Sequence, residues 1–312
     1  MIKIAFIGAG YMAAEHLKAF SVLPGVNIAG IYSRTKERAI KLKADYPTLL
    51  VCNSISELYK KLTPDLVIIA VPELSVREVC LEAFKFPWAC LIEKPAGYNL
   101  EDAEIIANAA HALNSKAFVA LNRRHYSATV NVLEELSHTE QPRLIHIYDQ
   151  ENPDEALAGG QPELIVKNWM YANSIHLISY FNILGRGEII SVENIISWDP
   201  ENPRLIMSKL SYDSGDIGIY EAVWNSPGPW AVVVSTQKKR WELRPLEELR
   251  VLEYKSRKPF FVEPHHWDKE FKPGLRLQAE ESLKMLRGED HQLASIFDGL
   301  KTMRLINKIY GV

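Results

Sequence analysis

Gly8-Ala9-Gly10-Tyr11-Met12-Ala13 is a GxGxxA pattern. Gly8 permits a tight turn, Gly10 lets backbone approach a pyrophosphate, and Ala13 keeps the following helix close to the preceding strand. That helix, opening with Tyr11 and Met12, presents unpaired N–H groups and a partial positive charge to the phosphates. Glycine pairs also occur in plain strand-to-helix turns. Here the pattern follows an N-terminal strand and opens a helix, the context a dinucleotide requires. About 20 residues on, a carboxylate would take the ribose 2′-hydroxyl, but the sequence reads Tyr32-Ser33-Arg34-Thr35-Lys36. A guanidinium and two hydroxyls suit a 2′-phosphate, so NADP(H) is expected ahead of NAD(H). Two other readings stay open: Arg34 stacked on adenine, or Ser33 or Thr35 capping a basic helix.

Glu93-Lys94-Pro95 follows a strand at the carboxyl edge of the sheet, where a doubly wound fold places its ligand. A lysine there would sit beside the nicotinamide and donate to a substrate hydroxyl or carbonyl. On spacing alone a solvated surface lysine fits equally well. His265-His266 follows Pro264 with no third ligand at a usable spacing, so no metal is expected.

These groups need a scaffold, and the hydrophobic pattern supplies it. Strand signals at Ile2–Ile7, Val26–Tyr32, 66–71, 89–92 and 117–121 alternate with helical ones, among them an alanine-rich helix capped by Asn99. Strands separated by helices imply right-handed βαβ units and a parallel, doubly wound sheet. After residue 121 the texture changes. A helix over Ser127–Ser137 leads to a strand at 144–148, a long polar loop at 149–162 and one helix at 163–184. Five strand-like segments with short turns then predict an antiparallel sheet, closed by two helices. The expected fold is α/β: a Rossmann domain over 1–121 and an α/β domain over 122–312.

The chain's 312 residues suit two domains, and 47% hydrophobic with 24% charged residues is ordinary for globular proteins. A net charge of -3 gives no drive toward nucleic acid or anionic membranes, and no apolar run approaches the roughly 20 residues of a membrane helix. Three cysteines without a CxxC pair predict buried thiols in a reduced cytoplasm rather than disulfides. No signal peptide opens the chain, which adds to the expectation of a cytoplasmic protein.

Taken in order, the GxGxxA pattern, Ser33-Arg34-Thr35, Ala70-Val71-Pro72 and Glu93-Lys94-Pro95 resemble the Gfo/Idh/MocA oxidoreductase family. Asn122-Arg123-Arg124 resembles its N-x-R segment, and residues 173–178 resemble the helix carrying its histidine. Phe271-Lys272-Pro273-Gly274 and residues 300–311 match in texture, so the resemblance spans nearly the whole chain. It implies hydride transfer between NAD(P) and a sugar, sugar nucleotide or related polyol. It further implies a second domain whose open sheet makes a homodimer or homotetramer. By motif match, Lys94 positions and polarises the reacting oxygen, and His176 is the acid/base. Glu93 orients Lys94, and the peptide before Pro95 is expected to be cis. Ala70, Pro72 and Glu93 join the cofactor contacts. Asn122, Arg123, Trp169, Asn173 and His176 join Lys94 around the substrate, with Tyr171 a further candidate for the pocket wall.

Departures from the family stand beside these matches. Ala172 occupies the place of an aspartate one turn before the histidine, Ser179 replaces one three residues after it, and Glu73 and Val76 replace Asn and His. A histidine without a carboxylate partner loses the group that orients it and stabilises its imidazolium form. Two other functions therefore remain: a non-catalytic NADP and sugar sensor, and an NAD-dependent glycosidase. Asp149 and Glu151 are expected in a loop, solvated in preference to contacting sugar hydroxyls.

Overall fold

Runs of apolar residues buried on both faces build the first sheet, as parallel strands covered by helices require. Six strands lie parallel: β1 (Ile2–Ile7), β2 (Val26–Tyr32), β3 (Leu50–Cys52), β4 (Leu66–Ile69), β5 (Ala89–Glu93) and β6 (Ala117–Ala120). Their spatial order is β6-β5-β4-β1-β2-β3, and a short strand, Ala294–Ser295, pairs antiparallel with β6 at the edge. The order reverses between β1 and β4, which leaves a crevice at their carboxyl ends. Every residue of β4 and β5 is buried. Asn99 caps helix Leu100–Ala112 as expected, its side chain accepting from the Asp102 N–H at 2.9 Å.

The computed structural model describes residues 1–312 and divides them into two units. One comprises Met1–Asn122 with Glu270–Lys301, and the other Arg123–Lys269 with Thr302–Val312. The division thus differs from a single cut after residue 121. Helix Leu275–Arg287 accounts for the difference: Leu275, Ala279 and Leu283 share one core with Leu17, Phe20, Ile4 and Leu91 of the first unit. Asn122 ties the two passes of the chain together, donating through Nδ2 to the Pro273 carbonyl at 3.0 Å.

The second unit carries an eight-stranded sheet. Its members are β7 (Leu144–Glu151), β8 (Ile189–Ile196), β9 (Leu205–Tyr212), β10 (Ile217–Trp224), β11 (Ala231–Ser235), β12 (Lys239–Leu243), β13 (Leu249–Glu253) and β14 (Phe260–Val262). They run β14-β13-β12-β11-β7-β10-β9-β8, antiparallel except for the β7–β10 pair. Alternate residues of β9 and β10 are buried, the mark of a sheet with one face packed.

Two expectations for this unit need correction. Residues 149–162 are not one long loop: β7 continues through Glu151, and a helix spans Pro153–Ala158. The helix expected over 163–184 is three pieces: Glu163–Lys167, a π-helical turn at Met170–Ser174, and Ile175–Leu184. No helix is long and apolar enough to cross a membrane. Cys52, Cys80 and Cys90 are free and buried, and burial pushes the Cys90 thiol up to about 12.

Candidate functional site

The first unit holds a cavity of about 540 Å³ at the carboxyl ends of β1 and β4. The residues assigned to the cofactor from sequence all line it: Gly8, Gly10, Tyr11, Met12, Ser33, Arg34, Thr35, Ala70, Pro72, Glu93 and Lys94. Gly8 has φ +106°, and a Cβ there would run into the Ala70 carbonyl, so the turn requires glycine. A Cβ at Gly10 would meet nothing within 4 Å. Helix α1 (Tyr11–Ser21) begins there without a side-chain cap, and fully buried Ala13 seats it on the sheet. Its first N–H groups thus keep their capacity for an anion.

Arg34 and Thr35 are exposed at the other end of this cavity. Thr35 stands at the N-cap position of α2 (Lys36–Asp45) but makes no capping bond. The capping alternative for Thr35 therefore has no hydrogen bond behind it. Arg38 also lines the cavity and was missed from sequence. Its signal was available, because position 38 lies in the first turn of the helix that follows Ser33-Arg34-Thr35. Glu73 and Val76, the two departures after β4, line the same space.

Glu93 ends β5, and its carboxylate lies 2.6 Å from Nε2 of His16 on α1. His16 is fully buried and Glu93 nearly so. The Lys94–Pro95 peptide is cis, as the motif led us to expect. These residues fit a dinucleotide: a glycine turn against β4, an uncapped helix start, and two guanidinium groups.

The second unit has its own cavity, about 700 Å³, walled by Trp169, Asn173, Trp230 and Arg123, with Gln150, Asn152, Glu155, Gln161 and Glu247 also on its surface. The Arg123 guanidinium lies 4.5 Å from the Trp230 ring centroid, within cation–π range. Aromatic faces beside a few amides and charges are the usual make-up of a small-molecule site. Three of the expected substrate contacts, Arg123, Trp169 and Asn173, line this cavity. Trp230 and Glu247 were missed, since nothing in their local sequence separates them from sheet-packing residues.

His176 is the second residue of helix Ile175–Leu184 and is 8% exposed. Its ring lies 6.3 Å from that of Trp230, and its Nδ1 is buried without a hydrogen-bond partner. It is not among the residues that line the cavity. Asn122 is buried with its amide on Pro273, and Tyr171 is buried with its hydroxyl accepting from Asn307 Nδ2 at 3.4 Å. Neither lines the cavity.

Asp149 and Glu151 are not solvated loop carboxylates; they are 1% and 0% exposed on the inward face of β7. Glu151 Oε2 accepts from Trp169 Nε1 at 2.6 Å and Asn173 Nδ2 at 2.8 Å, while Oε1 accepts from the Ser174 hydroxyl at 3.1 Å. Asp149 Oδ2 accepts from the Tyr220 hydroxyl at 2.7 Å, and Tyr220 pairs with Tyr310 at 2.8 Å. Burial, and then the neighbouring Asp149 charge, push the Glu151 carboxyl well above its usual range. Burial also raises Asp149, against the lowering effect of the Tyr220 hydrogen bond. The sequence showed the two acids but not the partners that bury them. No group of three or more His, Cys, Asp or Glu is placed to hold a metal ion.

Comparison with known proteins bears on the first unit most directly. Residues 2–121 match the model of the Gfo/Idh/MocA oxidoreductase family, NAD-binding Rossmann fold. Glucose-6-phosphate 3-dehydrogenase of Bacillus subtilis is 30% identical over 136 residues, 44% of this chain but only 38% of that enzyme's length. UDP-N-acetylglucosamine 3-dehydrogenase of Acidithiobacillus ferrooxidans superposes with a TM-score of 0.79 at 15% identity, covering 99% of this chain and 96% of that one. Aldose-aldose oxidoreductase of Caulobacter crescentus gives 0.79 at 19% identity, with 99% and 96% covered. At these identities the two structures share the fold.

Proposed function

We propose that this chain, whose residues 2–121 match the model of the Gfo/Idh/MocA oxidoreductase family, transfers a hydride between NADP(H) and a CH–OH group of a sugar, sugar nucleotide or related polyol. One observation carries the reading: a glycine turn and an uncapped helix start share a cavity with Arg34, Arg38 and Lys94. The sugar class is supported by what the related dehydrogenases act on, and by the tryptophan and amide walls of the second cavity. NADP(H) is favoured over NAD(H) by the paired guanidinium groups.

When bound, the cofactor supplies the nicotinamide carbon that takes or gives the hydride. Oxidising a CH–OH also releases a proton from oxygen, so the chain must hold that oxygen and accept the proton. Lys94 is our candidate to hold it, through a charge-assisted hydrogen bond that strengthens as the oxygen gains negative charge. His176 is our candidate for the proton, by its match to the histidine of the resembling family. Arg123, Trp169 and Asn173 orient the substrate in this reading.

Calorimetry with NADP(H) and NAD(H), followed by turnover on a panel of sugars and polyols, tests the proposal. Tighter binding of NADP(H) and reduction of NADP⁺ by at least one polyol are expected. A tightly held cofactor that never changes redox state would identify a sensor. Sugar release without net reduction would identify a glycosidase.

His176→Ala is expected to lower kcat by roughly 10-fold to 10²-fold, well below the ~10⁴-fold lost when an assembled triad loses its partner. The reason is Ala172, which leaves no carboxylate one turn away in sequence. Steady-state kinetics across pH checks this, and an unchanged rate would remove His176 from the mechanism. We further propose self-association through the second unit's sheet, supported by exposed Ile190 and Ile195 on its edge strand β8.

A further inference from the structure

The inward face of β7 is apolar at Ile145 and Ile147 and then carries two carboxylic acids. Placing acids where packing alone would take valine or leucine is costly, so their partners bear on what they do. Glu151 gathers donors from positions 169, 173 and 174, all belonging to the π-helical turn or its cap. In an α-helix of about 3.6 residues per turn, residue i+5 lies well round from residue i. A turn with i→i+5 bonding brings i+4 and i+5 back over i, so one carboxylate can reach all three. Two of these donors, Trp169 and Asn173, are also walls of the second cavity.

An amide has two ends. With one N–H of Asn173 Nδ2 committed to Glu151, the amide cannot flip, and it offers Oδ1 as acceptor and its second N–H as donor from fixed positions. The indole of Trp169 is pinned the same way, since Nε1 is its single polar atom and Glu151 holds it. We propose that Glu151 is a positioning residue. By holding the π-helical turn it presents the Asn173 amide in one orientation, its Oδ1 and remaining N–H fixed, and Trp169 as a fixed aromatic wall, so the cavity selects ligands with a hydroxyl, which both donates and accepts, beside an apolar sugar face. The proposal rests on the polyol reading above for its ligand, and on the apoprotein's own geometry for the rest.

Two variants test it. Glu151→Met keeps the volume and removes the acceptor; Glu151→Gln keeps one acceptor oxygen in place. In ¹⁵N-labelled apoprotein, Glu151→Met should move the indole N–H resonance of Trp169 upfield, with Trp169→Phe making the assignment, and should shift the Asn173 side-chain amide pair. Glu151→Gln should restore both in large part. With the best substrate among D-glucose 6-phosphate, myo-inositol and UDP-N-acetylglucosamine, Glu151→Met should raise KM roughly 10-fold or more with kcat within about 3-fold. Glu151→Gln should recover most of that loss. Unmoved amide and indole resonances in folded Glu151→Met overturn the positioning role whatever the enzyme's reaction. Moved resonances with an unchanged KM overturn the selection of ligand. Failure of every substrate with wild-type protein counts against the polyol reading and the ligand class, while the resonances still decide the positioning role.

Discussion

Lys94→Ala is expected to lower kcat by roughly 10²-fold or more while NADP(H) affinity stays within a few-fold. The phosphates are assigned to the helix start at Gly10 and the 2′-phosphate to Arg34 and Arg38, so truncating Lys94 leaves those contacts standing. In the proposed mechanism, what goes is a positive charge facing the oxygen whose negative charge grows in the transition state. Its effect is larger there than in the ground state, which places the loss in kcat. Single-turnover kinetics alongside calorimetric titration of NADP(H) separates the two quantities. Retained turnover would take Lys94 out of the mechanism. A loss confined to cofactor affinity would move it among the phosphate contacts.

Arg34→Asp should weaken NADP(H) far more than NAD(H). A charge-assisted hydrogen bond contributes about 1.5–3 kcal/mol, corresponding to roughly 13-fold to 150-fold in affinity. Arg38 sharpens the expectation, since it lines the same cavity from the first turn of the following helix. A remaining guanidinium moderates the single change, so Arg34→Asp with Arg38→Ala should exceed either alone. Titration of both cofactors against all three variants provides the measurement. Equal weakening of NADP(H) and NAD(H) would show Arg34 stacking on adenine or supporting the loop, and the preference would then have another source.

The nucleotide half was legible because its chemistry is local. Gly8, Gly10 and Ala13 act through backbone and closeness of packing, and the apolar run of β4 can only be a strand covered on both sides. The place of Lys94 at the sheet's carboxyl edge follows from where β5 ends; its proposed role comes from the family resemblance. In the second unit the decisive contacts are long-range. Asp149 and Glu151 read as loop residues because their sequence neighbours are polar; Tyr220 and Tyr310, which close the cluster with Ser174, lie far along the chain. The spacing 169, 173, 174 resembles ordinary helix until the carboxylate that draws the three donors together is known. Trp230 forms a cavity wall beside Arg123, yet in sequence it is one of seven tryptophans with nothing to single it out. Helix Leu275–Arg287 announces an apolar face through Leu275, Ala279 and Leu283. No pattern within it says which of two cores that face joins.

That helix bears on the order in which a ribosome delivers the protein. The six parallel strands emerge within the first 120 residues, but Leu275, Ala279 and Leu283, which pack with Leu17 and Phe20, come more than 150 residues later. During that interval a nascent nucleotide-binding sheet has part of its apolar surface open to water or to a chaperone. The second unit waits as well, because the hydroxyl of Tyr310 that meets Tyr220 lies 90 residues further along the chain. Domains usually consolidate in turn as they leave the ribosome. Here each unit includes residues far along the chain from its first strands, so each core waits for them.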